Sequence, residues 1–268
     1  MAGQGRRNAA KGWAPSVGQG RHDGRPHGRR EGPNEWIWGW RPVLAALANP
    51  ARAAPRRLLA TAERARQLAG QAPDAPVPEI LETPELSRLL PAGAVHQGIA
   101  ILPGALEPTQ LAAIATPAAG VLVMLDQVTD PQNVGAVLRS AAAFGARGLI
   151  VQDRHSPPFA GALAKAAAGA IDALPHAREV NLARALDRLA DLGWRAVGLA
   201  EAAGATLAET LDERPTVLVL GSEGEGLRRL VGEHCDALAR LPTVAGFESL
   251  NVAAAAAIAL YETTRRRR

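Results

Sequence analysis

A short, continuous apolar run at residues 121–125 and further strand-like segments at 148–151, 194–199 and 216–220 are set apart by segments with helical periodicity. A run without polar alternation suits a strand covered on both faces. Strands that alternate with helices pair in parallel through crossover connections, which predicts an α/β fold with a parallel, helix-covered sheet. The intervening helices are expected from the Asp130-Pro131 turn through Phe144, over 159–171, over 182–192 with Asn181 as N-cap, over 227–234 and over 251–265. A further strand is expected at 237–241.

Ahead of this region the organisation changes. Residues 1–34 are rich in Gly, Arg, Pro and Gln, with seven Lys or Arg against two acids, and are expected to be disordered. Four arginines close the chain at 265–268, so the folded body is mildly acidic and the basic charge sits at the ends. Such ends attract polyanions without sequence choice, or serve as solubility tails. Residues 35–108 read as a first small α/β unit. Trp36-Ile37-Trp38-Gly39-Trp40 leads into a helical pattern, followed by a strand at Leu58-Leu59-Ala60, a helix over 63–70 closed by Gly70, and a strand over 95–102. The tryptophans suit either stacking on bases or packing inside. Residues 109–119 are expected to link this unit to the main one, 120–268.

Several classes are excluded or disfavoured. No apolar run approaches the length of a membrane span, and the N-terminus has no hydrophobic stretch for a secretory signal. Cys235 is the only cysteine, which rules out an intramolecular disulfide and fits a reducing cytoplasm. One cysteine and six histidines without ligand spacing give no metal site, and no Gly-x-Ser-x-Gly elbow is present.

Three polar segments stand out. Gly221-Ser222-Glu223-Gly224-Glu225-Gly226 follows a strand and opens a helix, where glycines permit close approach of a ligand to the backbone. It is neither a Walker loop nor a dinucleotide turn, and alone it also reads as an ordinary strand–helix connection. The second runs from Leu125-Asp126-Gln127 through Asp130-Pro131-Gln132-Asn133-Val134-Gly135 to Arg139-Ser140. The third is Phe247-Glu248-Ser249-Leu250-Asn251-Val252, which enters an Ala-rich helix that Asn251 could simply cap.

In this order and spacing the segments resemble the signature motifs of the SpoU (TrmH-type) branch of the SPOUT RNA methyltransferases, over about residues 36–266. Gly93-Ala94-Val95-His96-Gln97-Gly98-Ile99 resembles the RlmB-type subgroup, which methylates a guanosine ribose in large-subunit (23S) ribosomal RNA. The resemblance implies a knotted parallel-sheet domain, S-adenosylmethionine as cofactor, a homodimer, and a cytoplasmic enzyme. It implies that Gly221, Leu241 and Leu250 cradle the cofactor through their backbones. It places Asn133 and Arg139 at the methyl-transfer centre with Glu223, Ser249 and Asn251, and His96 and Gln97 in substrate binding; a lone histidine also reads as structural. A guanidinium scarcely deprotonates, so Arg139 is expected to stabilise the developing ribose alkoxide rather than act as base. Glu223 is read either as a base or as a group orienting Arg139. Thr243 departs from the family, which commonly has Met there. The rival readings are a transfer RNA ribose methyltransferase and a non-catalytic RNA-binding assembly factor.

Overall fold

The computed structural model describes residues 35–244 and 250–266. The expectations for the tail at 1–34 and for Ser249 fall outside the described residues.

The first part of the chain supplies β1 (Ile37–Trp38), α1 (Trp40–Ala48), β2 (Arg57–Ala60), α2 (Ala62–Gln71), β3 (Glu79–Ile80), α3 (Thr83–Leu89) and β4 (Ile99–Leu102). Their strands form a sheet of order β1-β4-β2-β3, with β4 antiparallel to β1 and β2, and β3 parallel to β2. Trp36 and Trp38 are buried with Leu59, Leu86 and Leu102, so these two rings are core. Trp40 is half-buried at the start of α1.

Two expectations here need correction. Gly70 does not close α2, which runs on to Gln71 and ends where the Ala72 N–H bonds Leu68 O. The strand expected over 95–102 begins only at Ile99. Val95–Gly98 is instead a turn in which Gln97 takes a left-handed φ of 56° and Gly98 one of 75°.

Next come α4 (Leu111–Ala115), β5 (Val121–Leu125), α5 (Pro131–Ala143), β6 (Gly148–Gln152), α6 (Gly161–Ala167), α7 (Ala170–Ala173), β7 (His176–Glu179), α8 (Leu182–Asp191), β8 (Arg195–Leu199), α9 (Leu207–Thr210), β9 (Thr216–Leu220), α10 (Arg229–Glu233), β10 (Ala237–Ala239) and α11 (Val252–Arg266). The strands make one six-stranded sheet of order β10-β8-β9-β5-β6-β7, parallel throughout. Every residue of β5, β6 and β9 is buried, as strands covered on both faces require.

The sequence gives no warning of β7, His-Ala-Arg-Glu, because an edge strand needs only one partner and little apolar surface. Burial pushes the His176 imidazole down to about 4, so it is neutral at ordinary pH and packs against the Phe159 ring. The single helix expected over 159–171 is split into α6 and α7 by left-handed Ala168 and Gly169. Gly169 has φ +100°, and a Cβ there would lie 3.0 Å from Ala45 Cβ, so α1 packs directly on the break.

The two sheets meet across a polar seam. Arg52 Nε donates to Asp172 Oδ1 at 2.7 Å with both side chains almost fully buried, and Asn49 Nδ2 donates to the same oxygen at 3.0 Å. Gly161 N–H donates to Trp36 O at 3.0 Å, and Lys165 Nζ donates to Val95 O at 2.9 Å. Among the described residues, no helix is long and apolar enough to cross a membrane.

Candidate active site

The glycine-rich loop leaves β9 at Leu220 and folds back on itself. Ser222 N–H donates to Gly226 O at 3.1 Å and Gly226 N–H to Ser222 O at 3.0 Å, so Glu223-Gly224-Glu225 forms the tip. Gly224 and Gly226 take φ of 88° and 69°. At Gly221 a Cβ would lie 2.1 Å from Gly226 C and 2.4 Å from Leu227 N. The chain's own backbone therefore demands glycine at 221, before any ligand is considered.

Asp126, wholly buried at the end of β5, fixes the far side of the loop. Its Oδ2 accepts from Arg228 N–H at 2.9 Å and its Oδ1 from Arg228 Nε at 2.8 Å. With its amide turned to satisfy its neighbours, Gln152 accepts from Arg228 Nη2 at 2.8 Å. Sequence reasoning assigned neither Asp126 nor Arg228 a role. The signal available was an aspartate directly after a fully apolar strand, a place where a charge persists only if it is paired. Replacing Asp126 by Asn keeps the shape but removes that charge. The expected loss of stability is about 2 kcal/mol, less than for a fully enclosed pair because Arg228 still reaches water. Chemical denaturation of Asp126→Asn beside the wild type checks this.

At the loop tip three distant residues join. Asp130 caps α5 by accepting from the N–H groups of Gln132 at 3.3 Å and Asn133 at 3.1 Å, which sets Asn133 in the first helical turn. Asn133 Nδ2 donates to Glu223 Oε1 at 2.9 Å. Asn251 Nδ2 donates to Asn133 Oδ1 at 2.9 Å and to Glu223 Oε1 at 2.6 Å. Val252 N–H adds a third donor to Glu223 Oε1 at 3.3 Å. Asn251 also caps α11, its Oδ1 accepting from Ala253 and Ala254 N–H, so the cap and the contacts to Asn133 and Glu223 are made by the same side chain.

Beside this cluster, at the carboxyl ends of β8, β9 and β10, lies a cavity of about 800 Å³. Its lining includes Gly221, Glu223, Leu241, Thr243 and Leu250. Parallel α/β sheets offer ligand sites at this end of their strands, and the volume suits a small-molecule cofactor.

Other candidates are placed differently. Arg139 is exposed on α5 and makes no hydrogen bond or ion pair with another described residue, Glu223 included. His96 is buried, its Nδ1 accepting from Gly98 N–H at 3.0 Å and its Nε2 lying 3.0 Å from Ser87 Oγ. Burial, then the nearby Lys165 charge, moves its pKa below the usual histidine value. Gln97 is exposed, with its Oε1 accepting from Trp40 N–H at 2.8 Å. The Cys235 thiol is pushed up to about 12 by burial, which removes it as a nucleophile.

Residues 120–261 match the SpoU rRNA Methylase family. A protein of Mycobacterium ulcerans named an uncharacterized tRNA/rRNA methyltransferase is 41% identical over 255 residues, covering 91% of this chain and 81% of that one. Among solved structures, the SpoU methyltransferase AviRb from Streptomyces viridochromogenes in complex with AdoMet aligns with a TM-score of 0.74 and 26% identity, over 87% of this chain and 89% of that one. An AdoMet-bound rRNA methyltransferase from Sinorhizobium meliloti aligns with a TM-score of 0.73 and 26% identity, over 86% and 87%. The similarity to AviRb and to the Sinorhizobium enzyme takes in both sheets, and the family match spans all the polar segments around the cavity. This chain belongs to the SpoU rRNA Methylase family and is an RNA methyltransferase.

Proposed function

We propose that this enzyme methylates the 2′-hydroxyl of a guanosine ribose in large-subunit ribosomal RNA, using S-adenosylmethionine. The observation that carries the reading is the meeting of Asn133, Glu223 and Asn251 beside a cavity walled by Gly221, Leu241 and Leu250. The cavity fits that cofactor: leucine side chains suit the adenine and the methionine stem, and the glycine loop brings backbone polar groups to the same space.

S-adenosylmethionine, when bound, supplies an electrophilic methyl group on its sulfonium. The chain supplies the rest. Asn133, Asn251 and the Val252 amide hold Glu223 through one carboxylate oxygen, while Oε2 has no donor among the described residues and is open to a ribose hydroxyl. The Arg139 guanidinium stabilises the alkoxide that develops as the hydroxyl proton leaves to water or an RNA phosphate. Ser249 belongs to the same polar segment. Gln97 faces the RNA, and His96 serves it by holding the turn.

In this reading residues 35–108 bind RNA, 109–119 connect, 120–268 form the methyltransferase unit with a knotted chain, and the basic tail adds sequence-independent attraction in the cytoplasm. A homodimer is supported by the exposed stripe of Ala254, Ile258 and Tyr261 along α11, which lies beside α5, the helix of Arg139. Ile258 is 45% exposed and Tyr261 54%. Ile258→Glu is expected to convert the dimer to a monomer with its helical content intact; sedimentation velocity decides.

The experiment for the activity is ribose-methylation mapping of ribosomal and transfer RNA from cells with and without the gene. A guanosine 2′-O-methyl lost from the large subunit supports the proposal. Loss from a transfer RNA moves the substrate to that class, and unchanged maps with retained RNA binding favour an assembly factor.

A further inference from the structure

The turn at Gln97 lies on the seam between the sheets, and two cations are held against it. Arg64, on α2, donates Nε to Gln97 O at 2.7 Å, and its guanidinium lies over the Trp40 ring, 5.2 Å from the centroid. Lys165, on α6, donates Nζ to Val95 O at 2.9 Å. A Cβ on Gly39 would lie 2.9 Å from that Nζ and 3.2 Å from Gln97 Oε1. The bare backbone of Gly39 thus makes the space in which the ammonium and the Gln97 amide sit side by side.

Several neighbouring arginines are neutralised by an acid. Arg52 is paired with Asp172, Arg56 with Glu35 and Arg57 with Glu79. Arg64 and Lys165 have no carboxylate partner among the described residues. A carbonyl orients a cation without neutralising it, so both charges remain available to an anion. One comes from α2 and the other from α6, and the ring of Trp40, the first residue of α1, lies beneath the Arg64 guanidinium.

The placement relative to the chemistry is fixed. α6 packs against α5 at Gly135, where a Cβ would lie 2.6 Å from both Ala166 Cβ and Leu163 O. Lys165 is therefore carried on a helix in tight contact with the one bearing Asn133 and Arg139.

We infer that Arg64 and Lys165, with Trp40, form a binding site for the phosphate backbone of a single-stranded segment of the RNA substrate, beside the target nucleotide. Cations take the phosphate, and the guanidinium–indole stack offers a face for an unpaired base. The proposal rests on the enzyme acting on RNA, but its test needs no methyl transfer, so the two readings fail separately.

Lys11 and Lys165 are the only lysines in the chain, which allows a direct readout on the unaltered protein. Lys165 is acetylated with a small amine-reactive reagent in the presence and absence of a saturating single-stranded oligoribonucleotide of mixed sequence, and followed by mass spectrometry. RNA should slow acetylation of Lys165 severalfold, and S-adenosylmethionine alone should not. In parallel, Lys165→Met in the full chain should lower the log–log salt slope of oligoribonucleotide binding by about 0.7, the value for one phosphate contact on a single strand. Its cofactor affinity by calorimetry should be unchanged. If Lys165 only braces the Val95 turn, the variant melts lower but keeps the wild-type slope, and that result overturns the site. Should Lys165 be unreactive even without RNA, the slope alone decides, and Arg64→Met provides the second measurement on α2.

Discussion

Arg139→Ala is expected to lower methyl transfer at least about 100-fold, the scale for removing one fixed group that stabilises developing negative charge. The structure makes this a clean substitution. Arg139 is exposed and bonds no other described residue, so its removal leaves no buried partner stranded. Melting temperature and S-adenosylmethionine affinity should stay at wild-type values, and the loss should appear in kcat. Single-turnover methylation of ribosomal RNA together with calorimetry reads all three. A rate within a few-fold of wild type removes Arg139 from the reaction, and a parallel loss of cofactor affinity moves it into the pocket.

The second large effect is expected at Gly221. Even alanine places a methyl group 2.1 Å from the Gly226 backbone, and backbone cannot swing aside as a side chain can. The Ser222–Gly226 bridge must open, which withdraws the loop from the cavity and frees Glu223 from Asn133. Cofactor affinity should fall about 100-fold or more, roughly 2.7 kcal/mol, and stability by about 1–3 kcal/mol. The control is Gly70→Ala, where nothing lies within 4 Å and a helical alanine stabilises by up to about 1 kcal/mol. Wild-type cofactor affinity in Gly221→Ala would separate the loop from the pocket.

The sequence foretold the central strands because burial on both faces leaves a signature that any reader can see: β5 and β9 are Val-Leu-Val-Met-Leu and Thr-Val-Leu-Val-Leu. It hid β7, whose edge position asks for little apolar surface, and β3, whose two residues are exposed. The break between α6 and α7 was masked by alanine. Ala168 belongs to a run of good helix formers, and the cause of the break is α1 packing on Gly169, a contact no local pattern contains. At the site, the convergence of Asn133, Glu223 and Asn251 was foreshadowed only by family resemblance, since hydrogen bonds across 90 and 118 residues have no periodicity. Asp126 and Arg228 went unread for the same reason. His96 had two readings, a substrate contact implied by resemblance and a structural histidine on a strand; its ring nitrogens lie against Ser87 Oγ and Gly98 N–H, which hold a turn that strand periodicity did not foresee.

The Arg52–Asp172 pair bears on how such a chain can be rearranged. On paper the polypeptide divides neatly near residue 109, and a shortened catalytic piece or a grafted recognition unit looks like simple cut-and-paste. Physically the cut would strand Asp172 without Arg52 or Asn49, and Gly161 N–H without Trp36 O. Beneath a grafted unit that covers Asp172 again without supplying an arginine, an uncompensated charge of that kind costs about 3–5 kcal/mol, a large part of the stability an ordinary domain possesses. The halves are thus not interchangeable parts. Any ancestral or engineered exchange of the front portion has to carry its own arginine for Asp172, or neutralise that aspartate in the same step, and chimeras built without this compensation should be found in the insoluble fraction.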